Sequence, residues 1–424
     1  MFKNIEDCIS FIENSHRKSS KSLEHMKKLC EVYGNPEKGL NYIHVAGTNG
    51  KGSIVSYLRD IFYDAKYNVG TFTSPYIECF NERITFNKNF ISDDLIIKYT
   101  NEIISKYDYL EQNNIELPSF FSIVTLICFM YFRDIKPDIV ILEVGIGGLL
   151  DCTNVITPLV SIISNVSFDH MNVLGNTLPE IAYNKLGIVK ENVPLVTISN
   201  DIINDLIIET CNKKNSKCIL VNKKDICNVN LSIGKSCFDY KEYKNIIINM
   251  SGLYQTENAS IVIESCKLLK NKFNISDDNI YNGLKNTFWP GRLEIIKREP
   301  YIILDGAHNI DGIQRLHEFI KTIKKDFLNI VLVLAISANK ETQKMIEEIE
   351  NDVDKIIFTS FNYKRSEDYN VLYEYSKHPN KEKNDNVSLL LNESLLNNDI
   401  DTIWIFSGSL YFVSEVRKLF NNKC

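Results

Sequence analysis

The sequence lacks the features that would place the protein in a membrane or in an oxidising compartment. Its eleven cysteines include no C-x-x-C pair, and the odd number favours reduced, mostly buried thiols over a disulfide framework. No apolar run is long enough to span a bilayer, and the longest, 123–132, predicts a buried helix. The first residues, Met-Phe-Lys-Asn-Ile-Glu-Asp, contain acids and no signal-peptide core. We therefore expect a cytoplasmic protein that does not associate with membranes.

The sequence also lacks an excess of positive charge. Its 48 lysines and arginines face 54 aspartates and glutamates, so the net charge of −6 gives no electrostatic reason to expect binding to nucleic acid. Hydrophobic residues make up 44% and charged residues 24%, which is typical of a globular enzyme. A chain of 424 residues exceeds what one core usually serves, and no internal repeat is evident. We expect two domains, 1–295 and 296–424.

The stretch HVAGTNGKGS at 44–53 predicts a nucleotide-binding loop. It follows a short apolar run and precedes an amphipathic segment at 54–62, in the order strand, glycine turn, helix. In such a turn, unobstructed backbone N–H groups and the positive end of the helix converge on phosphate. Lys51 would reach the outer phosphates, and the hydroxyl of Ser53 would meet the accompanying metal ion. Gly52 separates Lys51 from Ser53, whereas the standard motif G-x-x-x-x-G-K-[ST] has the two residues adjacent. The alternative interpretation is a glycine-rich turn that binds no ligand.

Other apolar runs also end in polar residues and glycines. The run 138–148 contains Glu143 and three glycines near its end, and the run 160–166 leads to Asp169 and His170. This pattern is typical of parallel strands that are buried on both faces and carry functional groups at their carboxyl ends. Helical patterns between the runs predict an open α/β sheet. In the second domain, strands are predicted at 301–304, 330–334, 355–359 and 402–406.

Ser74, Glu143 and His170 are candidate metal ligands at strand ends or turns. A serine before a proline is also an ordinary turn residue. A carboxylate that closes an apolar strand is costly unless it has a partner or a metal ion. His170 could equally belong to a helix cap or lie satisfied within the core. Oxygen ligands with one imidazole suit Mg²⁺ or Mn²⁺ held together with nucleotide phosphates.

Lys185, Asp305 and His308 are candidates of a different kind. Lys185 lies among apolar residues of a predicted helix, where a solvated or snorkelling lysine is the ordinary interpretation. Burial would instead lower its pKa and favour the neutral, nucleophilic amine. Asp305 and His308 follow a predicted strand in a glycine turn, which suggests an active site. An N-cap role of Asp305 on the next helix is the alternative.

Together these motifs resemble the folylpolyglutamate synthase/dihydrofolate synthase family, within the wider Mur ligase group of ATP-dependent amide ligases. They occur in family order, so the resemblance covers nearly the whole chain. The matching segments are HVAGTNGKGS at 44–53, TSP at 73–75, NERI at 81–84, EVGIGG at 143–148, DCTN at 151–154, DH at 169–170, Lys185 with 187–188, WPGRLE at 289–294, DGAHN at 305–309 and GSLY at 408–411.

The resemblance implies a P-loop (Mur ligase-type) ATP-binding domain plus a smaller Rossmann-like C-terminal domain, with ATP between them. It implies two Mg²⁺ ions, one held by Ser74 and Glu143 and the other by His170 and a carbamate on Lys185. The implied catalytic residues are Lys51, Lys185, His170 and His308. The implied ATP contacts are Gly47, Thr48, Asn49, Gly50, Lys51, Gly52, Ser53, Asn258, Arg292 and Asp305. The implied substrate contacts are Pro75, Tyr76, Arg83, Asp151 and Ser409.

The function implied by the resemblance is ATP-dependent ligation of L-glutamate to a folate carboxylate through an acyl phosphate, by a monomeric enzyme. Extension of the glutamate tail of a reduced folate is favoured, and addition of glutamate to dihydropteroate, alone or as a second activity, is the alternative. A P-loop phosphotransferase or NTPase and a non-catalytic nucleotide-binding regulator are rivals of other classes. Departures from the family pattern at Ser122, Leu149, Leu186 and 337–340 spare the phosphate and metal residues and concern the pterin side.

Overall fold

The computed structural model describes residues 1–15 and 22–422, and their packing divides the chain into two units. The first unit comprises 1–223 and 258–283, and the second comprises 224–257 and the chain from 284 onwards. The predicted domains, 1–295 and 296–424, assign 224–257 to the first domain instead. In the structure Ile233 and Tyr254 pack against the hydrophobic core of the second unit. The domain bounds drawn from the sequence stay a prediction.

The first unit is built on an eight-stranded, mostly parallel sheet. Its order is β4-β3-β2-β5-β1-β6-β7-β8, with β3 and β4 antiparallel to their neighbours. All residues of β1 and β5 are buried, as predicted for strands covered on both faces. The strands are β1 (Tyr42–Ala46), β2 (Val69–Phe72), β3 (Ile84–Phe86), β4 (Asn89–Phe90), β5 (Ile139–Glu143), β6 (Val160–Ile163), β7 (Leu195–Ile198) and β8 (Cys218–Val221).

The helices of the first unit pack on both faces of this sheet. The apolar run at 123–132 lies in α6, where it is buried as predicted. Phe129 and Phe132 from this helix share one core with Phe72 of β2. The helices are α1 (Ile5–Asn14), α2 (Leu23–Val32), α3 (Lys51–Asp64), α4 (Asp93–Ile104), α5 (Tyr107–Gln112), α6 (Phe120–Ile135), α7 (Met171–Leu174), α8 (Leu178–Leu186) and α9 (Asn204–Lys213).

Three antiparallel strands begin the second unit. Two helices follow in the sequence, and each has residues that belong to the first unit and residues that belong to the second. The small sheet has the order β11-β10-β9. Its strands are β9 (Ile226–Ser232), β10 (Lys235–Tyr240) and β11 (Tyr243–Ile248), and the helices are α10 (Leu253–Leu269) and α11 (Asp277–Asn286).

The rest of the second unit is a six-stranded sheet with helices on both faces. Its order is β12-β13-β17-β14-β15-β16, and only β12 is antiparallel to its neighbour. The four strands predicted here are confirmed as β13, β14, β15 and β17, and the structure adds the short edge strand β16. The elements are β12 (Glu294–Arg298), β13 (Tyr301–Asp305), α12 (Ile310–Ile323), β14 (Asn329–Leu334), α13 (Thr342–Ile349), β15 (Lys355–Phe358), α14 (Tyr369–Tyr375), β16 (Lys381–Lys383), α15 (Val387–Leu396), β17 (Thr402–Ser407) and α16 (Leu410–Asn421).

The fold is thus the predicted one, a P-loop domain with a mostly parallel sheet and a smaller Rossmann-like domain. In both large sheets the carboxyl ends of neighbouring parallel strands meet at one edge, which is where α/β proteins place their ligands. Within the described part of the chain, none of the helices is long and apolar enough to cross a membrane.

Candidate active site

The glycine-rich loop joins β1 to α3 at the carboxyl edge of the first sheet. Gly50 is the N-cap of α3 and has a φ of 84°, in the left-handed region that favours glycine. A Cβ at this position would lie 2.6 Å from Oδ1 of Asn258. The structure therefore requires glycine here and brings Asn258, one of the implied ATP contacts, next to the loop. The N–H groups of the first turn of α3, which begins with Lys51, have no acceptor within the helix.

Lys51 curves back over its own loop and faces an acid. Its Nζ donates to the carbonyl oxygens of Gly47 at 3.1 Å and Thr48 at 3.2 Å. The same Nζ lies 3.9 Å from Oε1 of Glu143, the buried last residue of β5. The other carboxylate oxygen of Glu143 accepts a hydrogen bond from the backbone N–H of Ser74 at 3.2 Å. Lys51, Ser74 and Glu143 thus lie together, and the cation and the N–H group offset the burial of the carboxylate.

Lys185 is 3% exposed in α8, so the solvated interpretation weighed from the sequence is wrong. Burial, and next the nearby Lys51 cation, lower the pKa of Lys185 to about 7, and Asp169 opposes this shift. The amine is therefore largely neutral in weakly alkaline solution. The charges of Lys51 and Asp169 both act on this pKa, so Lys185 lies within electrostatic reach of the phosphate loop and of Asp169.

His170 is exposed at the N-terminus of the short helix α7, so the alternative of a core histidine is wrong as well. Its φ is 50°, and its backbone N–H donates to Oδ1 of Asp169 at 2.8 Å. The imidazole makes no side-chain cap on α7. This side chain is accessible at the end of the segment that follows β6.

The predicted ligands suit Mg²⁺ by their chemistry. Among the residues that the structure describes, no group of three or more His, Cys, Asp or Glu side chains could hold one metal ion. The predicted set contains only two such residues, Glu143 and His170, so its other donors are the Ser74 hydroxyl, a carbamate on Lys185 and nucleotide phosphates. Oxygen donors of this kind with one imidazole fit Mg²⁺, which binds few protein groups and relies on phosphates and water. The two-ion site stays a prediction.

Asp151 is buried and uses both carboxylate oxygens within the protein. Oδ2 accepts from the N–H groups of Gly145 at 3.0 Å and Ile146 at 3.1 Å, and Oδ1 accepts from the N–H and hydroxyl of Thr153 at 3.0 and 2.6 Å. Burial raises the pKa of Asp151, and these hydrogen bonds oppose the shift. The residue therefore orders the loop that follows Glu143, while its predicted substrate contact stays a prediction.

Arg83 lies in a cluster of aromatic rings. The centre of its guanidinium is 5.0 Å from the ring centroid of Tyr76, 5.6 Å from that of Phe80 and 5.3 Å from that of Phe120. The rings shield a cation that is only 7% exposed. Sequence reasoning missed Phe80, which directly precedes the motif at 81–84, and Phe120, which lies two residues before the departure at Ser122.

The chain between Pro75 and Arg83 is held by one acid. Glu82 accepts hydrogen bonds from the N–H groups of Ile77 at 2.8 Å, Glu78 at 2.8 Å and Cys79 at 2.9 Å. Pro75 itself is exposed at the start of this loop. Glu82 thus determines the conformation of the segment that presents Pro75 and Tyr76.

In the second unit, Asp305 ends β13 and organises the turn after it. Its oxygens accept from the N–H of Leu293 at 2.9 Å and of Ala307 at 3.0 Å. Burial raises the pKa of Asp305, and the nearby Arg292 cation opposes the shift. The N-cap of α12 is Asn309, so the N-cap interpretation of Asp305 is wrong.

His308 and Ser409 lie at the same edge of the second sheet, after the neighbouring strands β13 and β17. Nδ1 of His308 is 2.8 Å from the carbonyl oxygen of Gly306. Ser409 is the buried N-cap of α16, and its Oγ lies 3.2 Å from Oγ of Ser337. Asp305, His308 and Ser409 therefore share one strand-end region, as their positions in the sequence predicted.

Sequence reasoning gave no role to Asn165, which lies directly beside the phosphate loop. Its carbonyl oxygen accepts from the N–H of Thr48 at 3.0 Å, and its Oδ1 accepts from the N–H of Asn49 at 2.8 Å. The only signal in the sequence is its position, just past a buried strand and four residues before Asp169.

Two family models match the chain. The Mur ligase middle domain matches residues 45–266, and the glutamate ligase domain of Mur ligases matches residues 291–403. The first match alone spans more than half of the chain and includes the phosphate loop, Glu143, His170 and Lys185.

Individual relatives match over nearly the full length. The dihydrofolate synthase/folylpolyglutamate synthase of Bacillus subtilis is 37% identical over 439 aligned positions, which cover 99% of each chain. The crystal structure of folylpolyglutamate synthase from Thermotoga maritima has a TM-score of 0.86 and 30% identity, covering 99% of this chain and 97% of its own. A complex of folylpolyglutamate synthase with AMPPCP and folate has a TM-score of 0.84 and 28% identity, covering 98% and 99%.

Proposed function

Since the chain belongs to the folylpolyglutamate synthase/dihydrofolate synthase family of Mur ligases, and is therefore an ATP-dependent ligase that forms amide bonds, we propose that it joins L-glutamate to the carboxylate of a folate. The observation that carries the proposal is the meeting of Lys51 with Ser74 and Glu143 beside a glycine loop at a helix N-terminus. This arrangement suits the transfer of a phosphoryl group. Small-molecule substrates, ATP and a folate, fit the family, and a monomeric, cytoplasmic enzyme stays a prediction.

The proposed reaction has two steps. The folate carboxylate attacks the γ-phosphorus of ATP, which forms an acyl phosphate and releases ADP. The neutral amine of glutamate then attacks the acyl carbon, and phosphate leaves as the amide forms. Activation is needed because a carboxylate has no leaving group that an amine could displace.

The first step requires neutralisation of negative charge. Lys51 begins α3, so its ammonium belongs to the same helical turn whose N–H groups have no acceptor within the helix. We propose that phosphate draws Nζ of Lys51 away from the carbonyl oxygens of Gly47 and Thr48. Ser74 and Glu143 would hold Mg²⁺, and the ion would supply Lewis acidity at the phosphate oxygens.

Lys185 is proposed to act as a carbamate. A neutral amine can add to carbon dioxide, and the low pKa of Lys185 makes the neutral form abundant near pH 7. The addition releases one proton to solvent and leaves an anion near Lys51, so the charges of the two residues then attract each other. Together with His170 this carboxylate-like group would hold the second ion.

The acceptor is proposed to lie beside Arg83 and Tyr76. A largely buried guanidinium held by aromatic rings presents a strong positive charge to a carboxylate. The glutamate and ATP contacts of Arg292, Asp305, His308 and Ser409 remain proposals. We favour extension of a folate glutamate tail. The bifunctional name of the Bacillus subtilis relative favours dihydropteroate as a second acceptor.

The test is ADP release in the presence of MgATP and L-glutamate, with tetrahydrofolate or dihydropteroate as acceptor. Release that requires both glutamate and an acceptor is expected, and a new amide product should appear in equal amount. Release that ignores glutamate would instead indicate an NTPase or phosphotransferase. Activity with both acceptors would identify a bifunctional enzyme.

The matched variant is Lys51→Ala. It removes one charge, whose contacts are the carbonyl oxygens of Gly47 and Thr48 in its own loop and the carboxylate of Glu143, so the fold should persist. We expect ADP formation to fall by about 10²–10³-fold, which is the usual cost of removing one donor that stabilises charge in a transition state. Wild-type turnover in this variant would refute the assignment of the loop.

A further inference from the structure

Asn165 joins two segments to which the proposed function gives separate roles. One segment, 46–49, is the start of the phosphate loop, and the other, 164–167, leads from β6 towards His170. Asn165 contributes its carbonyl oxygen to the N–H of Thr48 at 3.0 Å and its Oδ1 to the N–H of Asn49 at 2.8 Å. Asn49 and Asn165 are 116 positions apart in the sequence, so this hydrogen bond is a tertiary contact.

Neighbouring contacts continue this connection in both directions. The hydroxyl of Thr48 donates to the carbonyl oxygen of Ser167 at 3.0 Å and is itself 3.0 Å from the Ser167 N–H, for which it is the acceptor. The hydroxyl of Ser164 donates to the carbonyl oxygen of Asn49. A Cβ on Gly47 would overlap Oγ of Ser164 at 1.8 Å, so the two segments are in van der Waals contact as well.

This docking decides which N–H groups can serve phosphate. The N–H groups of Thr48 and Asn49 both point to Asn165, so they are engaged inside the protein. The N–H groups at the start of α3, which has Gly50 as its N-cap, lie outside this docking contact and have no acceptor within the helix. Asn165 therefore holds the part of the loop that leads into the N-terminus of α3.

The same docking restrains the segment that leads to His170. Only three residues separate Asn165 from Asp169, and the middle one, Ser167, is hydrogen-bonded to Thr48. A shift of the phosphate loop on binding ATP must therefore displace the start of this segment, because hydrogen-bonded backbone cannot slide freely. Such a connection can couple two sites if the ligand at one site changes the conformation, and so the affinity, of the other.

We propose that Asn165 is a positioning residue that couples nucleotide binding at the phosphate loop to metal binding at His170. The proposal rests on the proposed function, since it needs ATP at the loop and a divalent ion at His170. Nucleotide should raise the affinity of the His170 site for its ion, and by linkage the ion should raise the affinity for nucleotide by the same factor.

The test compares Mn²⁺ binding, followed by electron paramagnetic resonance, with and without AMPPCP. The ratio of the Mn²⁺ affinities with and without AMPPCP, at the site that depends on His170, measures the total coupling, including ligation by the nucleotide phosphates, and needs no turnover. We expect Asn165→Ala to lower this ratio by about tenfold. The Asn49 N–H loses its acceptor in this variant, which weakens the link between the phosphate loop and the segment 164–167. Hydrogen exchange of the Thr48 and Asn49 amides should also become faster.

Asn101→Ala is the matched control. Asn101 clamps the backbone of Phe2 with hydrogen bonds of 2.7 and 2.9 Å, is partly buried like Asn165, and lies in the same unit away from the loop. It should lower stability without changing the coupling ratio. If Asn165→Ala does not fold, Asn165→Asp serves instead. Aspartate keeps an acceptor for the Asn49 N–H, so this variant should retain the ratio. Its added negative charge affects the Mn²⁺ affinity both with and without nucleotide, so that effect should cancel in the ratio.

The outcomes separate the inference from the proposed function. An unchanged ratio in a folded Asn165→Ala variant, or an equal loss in Asn101→Ala, would overturn the coupling role of Asn165. A tenfold loss of the ratio in a folded Asn165→Asp variant, which keeps the acceptor for Asn49, would do the same. A wild-type protein that binds no AMPPCP and releases no glutamate-dependent ADP would instead overturn the proposed function.

Discussion

Replacement of Lys185 by methionine tests whether the buried amine of the candidate site destabilises the fold. The pKa of Lys185 falls from an ordinary value of 10.5 to about 7, with burial as the largest cause. At about 1.4 kcal/mol for each pH unit, this difference corresponds to at most about 5 kcal/mol. Methionine has a similar length and carries no charge, so it should fill the same space without the penalty.

The sign of the effect follows from proton linkage. Between pH 7 and 10.5 the unfolded chain binds a proton at Lys185 that the folded chain does not, so the stability of the wild type rises with pH. The penalty is complete below pH 7 and is gone above pH 10.5. The stability advantage of Lys185→Met should therefore shrink by about 1.4 kcal/mol for each pH unit above 7.

The assay is urea unfolding of both proteins at pH 7, 8 and 9 in buffer free of carbon dioxide, because a carbamate would replace the ammonium. We expect the variant to be more stable at pH 7 and the gap to be about 3 kcal/mol smaller at pH 9. Lys213→Met is the control, since Lys213 is an exposed helical lysine in the same unit and should show no such pH dependence. A gap that is constant with pH, or a variant less stable at pH 7, would refute the reasoning. The variant should also lose ligase activity.

Two further predictions concern residues that shape the substrate side. Glu82→Ala removes the acceptor of three backbone N–H groups in the loop that presents Tyr76, so the KM for folate should rise about tenfold or more while the KM for ATP stays constant in steady-state kinetics. An unchanged KM for folate would contradict this. Thr153→Val removes a hydroxyl that donates to Asp151 and lies 2.8 Å from Nε2 of His44, and it should lower the free energy of unfolding by about 1–3 kcal/mol in urea titrations, whereas Thr153→Ser should keep most of it. Equal stability of the two variants would count against a role of this hydroxyl.

The charge state of His44 follows from the same hydrogen bonds. The hydroxyl of Thr153 donates to Asp151, so towards His44 it acts as an acceptor for Nε2–H. Complete burial lowers the pKa of His44 to about 3, so the imidazole stays neutral at physiological pH. His44 begins the glycine-loop motif in the sequence, yet the structure shows it inside the sheet, linked to the Asp151 loop.

The sequence by itself determined the elements and the order of their functional ends. Continuous apolar runs predict strands buried on both faces, and glycines with Lys51 between a strand and a helix predict a phosphate loop, because these patterns depend on neighbours along the chain. The positions of Glu143, Asp305 and Ser409 at strand ends follow from the same local logic. Each of them is found at the carboxyl edge of its sheet.

Only the tertiary structure decided burial and partnership. Lys185 carries the same local signals whether it is solvated or buried, and the packing of α8 excludes water from it. The role of Asn165 depends on residues more than 100 positions away, and the strands at 226–248 join the second unit through long-range packing. Hydrogen-bond partners and desolvation are properties of assembled surfaces, so no pattern of neighbouring residues could have specified them.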